Sequence, residues 1–219
     1  NFRPLSGADF EGNAFAPNRS RSREAGLKWV DLDGRFSAGA AVYEVEQDNI
    51  LVADPANAGF SIAGGEARSR GFELDAEARF GAGYEAILSY AYTDAEMRNA
   101  VLDPNFALPV AVGDRLLNIP RHSASLLLSR STEWRGRALR FGGGVLHIGE
   151  RLGEVGTRFE LPGYTLVRLF GSLQLSDSIE MGAEVHNLFD ETYYTNSFSQ
   201  LWVQPGTPRS LGLSLRYRF

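Results

Sequence analysis

Apolar and polar residues alternate along most of this chain, in stretches of about 10–14 residues punctuated by Gly, Pro, Asn and Asp. Alternation at period 2 sends successive side chains to opposite faces of an extended backbone, so each stretch predicts a strand with one apolar face. Nine strands are predicted, over roughly 22–31, 35–48, 66–80, 84–96, 119–131, 138–149, 164–176, 178–188 and 208–219. The last is the clearest: Leu211, Leu213, Leu215, Tyr217 and Phe219 oppose Ser210, Gly212, Ser214, Arg216 and Arg218. In 66–80, Phe72, Leu74, Ala76, Ala78 and Phe80 oppose Gly71, Glu73, Asp75, Glu77 and Arg79. In 35–48 the neighbours Val42 and Tyr43 interrupt the alternation and leave the register open.

Short and long connections alternate between these stretches. Short ones fall at Asp31–Gly34, Gly81–Gly83, Thr132–Arg137 and Asp177; long ones fall near 49–65, 97–118, 150–163 and 189–207. Successive strands of an up-and-down meander turn at opposite ends, so tight turns collect at one end and long loops at the other. A Greek-key sandwich gives no reason for that regularity, whereas an outer-membrane barrel does. The strand lengths suit a membrane span of about 9–11 residues better than the about 5–6 residues of soluble strands. Bacterial barrels close with an even strand number, and the count here is odd. Residues 22–219 are therefore expected to be the C-terminal part of a larger barrel, preceded by a long extracellular loop over 1–21.

Aromatic residues form two bands. Trp29, Phe36, Phe80, Tyr84, Trp134, Tyr217 and Phe219 lie at the tight-turn end; Tyr43, Tyr90, Tyr92, Tyr193 and Tyr194 lie at the long-loop end. Amphipathic rings gather at the two interfaces of a membrane. Trp29, Trp134, Tyr217 and Phe219 are thus assigned to one belt and Tyr90, Tyr92, Tyr193 and Tyr194 to the other, against the alternative of ordinary aromatic enrichment in strands. No run of about 18 apolar residues exists to form a spanning helix. A hydrophobic share of 43% among 219 residues argues against a disordered chain. Cys is 0, which removes disulfides and thiolate metal sites, and a net charge of −5 argues against a nucleic-acid surface.

Local motifs for chemistry are weak. Gly81-Ala-Gly-Tyr-Glu-Ala86 matches a dinucleotide fingerprint in letters, but period-2 alternation follows it, and a pyrophosphate needs a helix N-terminus. Asp31-Leu-Asp-Gly34 lacks the glutamate of a calcium loop and reads as a hairpin turn. His122, His147 and His186 sit on different strands, so neither a metal site nor a catalytic triad is legible, and no enzymatic activity is expected. Gly142-Gly-Gly144 within a strand predicts close approach or a bend. Loop 189–207 stands out, with Tyr193, Tyr194, Phe198, Trp202 and Gln204 and little charge. Large aromatics on an exposed loop suit either self-packing beside a membrane interface or a wall against a bulky ligand.

Several segments carry a family resemblance in the right order along nearly the whole chain. Glu66-Ala-Arg-Ser-Arg-Gly-Phe-Glu-Leu-Asp75, Tyr90-Ala-Tyr-Thr-Asp94, Ile119-Pro-Arg-His122, Val185-His-Asn-Leu-Phe-Asp-Glu-Thr-Tyr-Tyr194, Gly206-Thr-Pro-Arg209 and the terminal Arg218-Phe219 together resemble TonB-dependent outer-membrane receptors. The resemblance is greatest to ferric-siderophore receptors of the hydroxamate (ferrichrome) type. It implies an all-β fold, the last nine antiparallel strands of a 22-stranded transmembrane barrel, with plug and TonB box outside this sequence. It also implies uptake of an iron(III)–siderophore chelate, with no covalent cofactor and no resident metal. The partners it implies are outer-membrane lipid, a TonB-type energy coupler and the barrel-assembly machinery acting through the C-terminal strand. Such receptors place an aromatic ligand contact in the loop corresponding to 189–207, which points to Phe198, with Trp202 and Gln204 beside it. A plugless porin and a soluble all-β binding domain are the alternative readings.

Overall fold

The computed structural model describes residues 2–219. Among them lie β1 (Phe2–Arg3), β2 (Asn18–Val30), β3 (Phe36–Ala53), β4 (Ser61–Phe80), β5 (Tyr84–Met97), β6 (Val101–Leu102), β7 (Pro109–Val110) and β8 (His122–Trp134). Then follow β9 (Arg137–Ile148), β10 (Arg151–Leu152), β11 (Glu160–Leu161), β12 (Tyr164–Ser176), β13 (Ile179–His186), β14 (Tyr194–Ser199), β15 (Trp202–Pro205) and β16 (Ser210–Tyr217). The long strands run as one antiparallel meander, β2-β3-β4-β5-β8-β9-β12-β13-β16, with β1 beside β2. Each matches one predicted strand.

The tight turns form as their residues require. Arg135 and Gly136 both take positive φ, 53° and 73°, between the paired Trp134 and Arg137. Positive φ at both central residues matches the twist of a two-residue hairpin. At Asp31–Gly34 the Asp31 carboxylate accepts the Arg35 N–H at 2.8 Å, closing a turn as expected.

Three differences from the sequence expectation lie at the long-loop end. Strand β2 begins at Asn18, inside the stretch read as loop 1–21, and β1 pairs with it through Phe2↔Arg19 and Arg3↔Asn18; Asn1 lies outside the described residues. β3 runs on to Ala53 and β4 starts at Ser61, so the connection near 49–65 shrinks to 54–60. A bulge between Gln47 and Ile50, with Asn49 at φ 60°, breaks the alternation there and hides the continuation. Finally, each of the next three long connections carries its own ladder: β6–β7, β10–β11 and β14–β15.

The pairing settles the two faces. Trp29↔Ala38, Ala38↔Ala76, Ala76↔Leu88 and Leu88↔Leu126 continue one apolar face, which proceeds through Val145, Val167 and Leu169 to Val185 and Leu211. Tyr43 stands on the opposite, polar face, which corrects its place in the long-loop aromatic band. It pairs with Gly71, and its hydroxyl meets the Thr93 hydroxyl at 2.8 Å. A Cβ on Gly71 would stand 2.8 Å from that hydroxyl and would collide with the Tyr92 carbonyl, so the ring needs a glycine beneath it.

Little of the sheet is buried on either face. The compact apolar cluster, Ala67, Met97 and Val110 with Ile50, Val101, Leu116 and Val155 against it, sits among the long connections instead. Those connections are thereby packed into a structured cap.

Candidate functional site

The site grows from the connection between β13 and β16. Asn187, 5% exposed and at φ 49°, accepts the Glu191 N–H at 2.8 Å and donates to the Glu191 and Thr207 carbonyls at 2.9 and 3.2 Å. Asp190 accepts the Arg209 N–H at 2.8 Å. The Asn-Leu-Phe-Asp and Gly-Thr-Pro-Arg segments are therefore two sides of one turn assembly. Tyr193 completes it: its hydroxyl accepts the Thr207 N–H at 3.2 Å, and its ring covers Gly206 where a Cβ would collide with it.

Above that base, β14 and β15 form a short hairpin with Asn196↔Gln204 and Ser197↔Val203 paired. Two other connections grip it. Arg151, 3% exposed, donates to the Tyr194 and Thr195 carbonyls at 2.7 and 3.2 Å, and its guanidinium lies 5.3 Å over the Tyr164 ring. Asn118 and Ser197 exchange two bonds, side-chain amide to Ser197 carbonyl at 2.7 Å and Ser197 N–H to side-chain oxygen at 2.9 Å. The Ser197 hydroxyl also donates to the Gly153 carbonyl. Ser197 and Ser199 are buried, which leaves Phe198 between them projecting to the open side at 41% exposure.

Phe198, Trp202 and Gln204 come together in space. They line one open cavity of about 510 Å³ with Leu117, Asn118 and Leu201. The Phe198 and Trp202 ring centroids are 6.5 Å apart. The reading of loop 189–207 missed a third ring: Phe106, from the β6–β7 turn, sits 5.5 Å from Phe198. Buried Asp103 builds that turn by accepting the Asn105 and Phe106 N–H groups at 3.1 and 2.7 Å. A lone aromatic after Asp-Pro-Asn was the available signal.

Away from this cap, toward the tight turns, the polar face of the sheet carries charge. Asp75 accepts the Ser89 hydroxyl at 2.7 Å, and Glu85 pairs with Arg79 and Arg140 at 3.3 and 3.1 Å. The Gly142–Gly144 run explains itself as close approach: a Cβ at Gly144 would stand 3.0 Å from Arg168 Nε, and one at Gly142 would stand 2.7 Å from the Phe170 ring. Phe170 lies between the Arg140 and Arg168 guanidiniums, each 6.0 Å from its ring centroid.

The residues assigned to aromatic belts divide. Tyr90 and Tyr92 lie on the apolar face, each 5.7 Å from Phe72 and close to His122, whose Nδ1 meets the Tyr90 hydroxyl at 2.8 Å. Trp29, Trp134 and Tyr217 are exposed on the same face near the tight turns, and Phe219 follows with its ring 6.5 Å from that of Tyr217. Tyr193 does not join them. It packs 4.6 Å from Tyr164, on the polar side, because the turn through Asn187 and Asp190 carries it inward. Tyr194 is half-buried at the start of β14. The histidines stay apart, His147 meeting Thr165 at 2.9 Å and His186 meeting Glu184 at 3.2 Å; no cluster suited to a metal ion occurs among the described residues.

Residues 1–188 match the family described as TonB dependent receptor-like, beta-barrel. The chain is 40% identical over its whole length to the metal-pseudopaline receptor CntO of Pseudomonas aeruginosa, of which it covers 30%. It is 32% identical to the ferrichrome outer membrane transporter/phage receptor of Escherichia coli, over 100% of this chain and 29% of that protein. The crystal structure of the ferric yersiniabactin uptake receptor FyuA from Yersinia pestis superposes with a TM-score of 0.81 at 20% identity, over 100% of this chain and 33% of that one. The chain thus spans about 30% of the length of the curated relatives it matches. Meander, apolar outer face, structured loop cap and family match agree: this chain belongs to the TonB-dependent receptor β-barrel family of the bacterial outer membrane.

Proposed function

We infer that this chain is the C-terminal part of a receptor that takes up a ferric siderophore or a closely related metal chelate across the outer membrane, driven by a TonB-type partner. The observation that carries the reading is the aromatic wall of Phe198 and Trp202, held rigidly in the loop cap above a charged sheet face. A metal chelate has an apolar skeleton around polar donor atoms. Flat rings with an amide group beside them, here that of Gln204, suit it. In the whole receptor the nine long strands are the last of a 22-stranded barrel, and a plug from the preceding part of the polypeptide fills the lumen. The apolar face meets lipid, with Trp29, Trp134, Tyr217 and Phe219 at the inner interface and Tyr90 and Tyr92 at the outer.

The names of the two curated relatives above, and of the ferrioxamine B receptor of Salmonella typhimurium (29% identical over 100% of this chain and 31% of that protein), supply the ligand panel. The full-length receptor in detergent, titrated with ferrichrome, ferrioxamine B and metal-loaded pseudopaline, is expected to bind at least one saturably, with Kd about 1 μM or tighter. Failure to bind any of the three contradicts the reading.

The orientation makes its own prediction. A cysteine at Val112, 60% exposed in the loop cap, should react with an impermeant thiol reagent on intact cells. A cysteine at Gly81, in a tight turn with open space around it, should react only after the cells are broken. The reverse pattern would invert the barrel.

A further inference from the structure

The wall that Phe198 offers is not built by its own connection alone. Phe106 faces it from a turn nearly a hundred residues earlier in the chain, 50% exposed with its ring 5.5 Å from that of Phe198. The hairpin carrying Phe198 makes its two reciprocal side-chain bonds to one residue, Asn118, 79 positions away in sequence. Asn118 ends the same connection that presents Phe106. Its backbone has φ 61°, a conformation that Gly, Asn and Asp adopt most readily, and its N–H donates to the Leu152 carbonyl at 3.0 Å. One residue thus ties three connections: its own, the β10–β11 connection and the β14–β15 hairpin.

We propose that Phe106 extends the ligand-contacting wall offered by Phe198, and that Asn118 is the positioning residue that holds Phe198 against it. This rests on the reading of the cavity as a chelate site. The ligand class is a compact metal chelate with an apolar rim, lying against a joint surface that the two touching rings build from two connections. The physical reason is pre-organisation. A two-stranded hairpin on its own is marginally stable in water, and a wall that must be ordered on binding loses affinity to that ordering. The Asn118–Ser197 exchange and the Arg151 grip remove most of that freedom before the ligand arrives.

The test uses the full-length receptor and whichever of ferrichrome, ferrioxamine B or metal-loaded pseudopaline it binds. Phe106→Ala is expected to weaken binding about 10-fold or more, and Phe106→Tyr, which keeps the ring, to restore most of it. Asn118→Gly keeps the positive φ but loses both side-chain bonds, and should weaken binding by a similar factor. The decisive arm is a double-mutant cycle. If Asn118 acts through Phe198, Asn118→Gly should change affinity less than about 2-fold when Phe198 is already Ala. Should Asn118→Gly fail to assemble, Asn118→Asp, which keeps the acceptor for the Ser197 N–H, enters the same cycle under the same criteria. Unchanged binding by Phe106→Ala overturns the extension of the wall. Equal losses with and without Phe198 overturn the positioning role. Failure of the wild-type receptor to bind any of the three overturns the parent reading and this inference together, which separates that failure from the other two.

Discussion

Leu213→Arg in the complete receptor should sharply reduce the amount of assembled barrel. Leu213 is 76% exposed in the middle of β16, paired with Ala183, which in turn pairs with Gly171 on β12. These three residues share the apolar face, and the tight-turn and long-loop ends lie about equally far away along the strand. A guanidinium placed there meets hydrocarbon with no carboxylate on its face to pair with. Arginine at the midplane of a lipid-facing barrel surface costs about 2–4 kcal/mol. The neighbouring change Ser214→Arg, on the polar face beside Gly182, should be far milder. Heat-modifiable barrel in isolated outer membranes reads both. Equal yields of the two variants would contradict the assignment of faces, and the reverse order would show that the faces have been exchanged.

Phe198→Ala should leave assembly intact and remove much of the ligand affinity. The ring stands clear of the hairpin backbone while Ser197 and Ser199 on either side are buried, so truncation removes wall without removing support. Aromatic anchors in desolvated pockets typically cost about 2 kcal/mol or more when truncated, which corresponds to roughly a 30-fold loss of affinity. Tyr193→Ala is expected to act differently. Its ring covers Gly206 and packs on Tyr164, so its loss loosens the base of the hairpin and raises the ligand dissociation rate, without the defect in membrane insertion that an interface residue would show. Binding measured on equal amounts of assembled receptor separates the two. Unchanged affinity in Phe198→Ala would remove this ring from the site.

The membrane-facing part of the fold was legible because the bilayer imposes a rule on it. Every strand position that meets lipid must be apolar, so β4 and β16 announce their faces residue by residue. Beyond the bilayer the rule lapses. The run Ile50-Leu51-Val52 continues β3 past a bulge, and there it packs into the loop cap, so no alternation marks it. Loop 189–207 betrayed itself by composition, since eight aromatic or amide side chains with little charge stand out in a long connection. Phe106 and Asn118 did not, because their importance lies in contacts with Phe198 and Ser197 that only the folded loops create. Tyr193 misled for a related reason. At the long-loop end, its position along the chain matches the outer belt, and only the backbone turn at Asn187 and Asp190 decides which side it faces.

The most direct test of the account is energised uptake. The full-length receptor is expressed in cells lacking their own chelate receptors, and accumulation of iron or another metal is followed with each chelate of the panel, with and without a working TonB. The account predicts accumulation of at least one chelate that stops when TonB is removed, with little passage of unrelated small solutes. Accumulation that persists without TonB and extends to unrelated solutes would mark an open pore and contradict it.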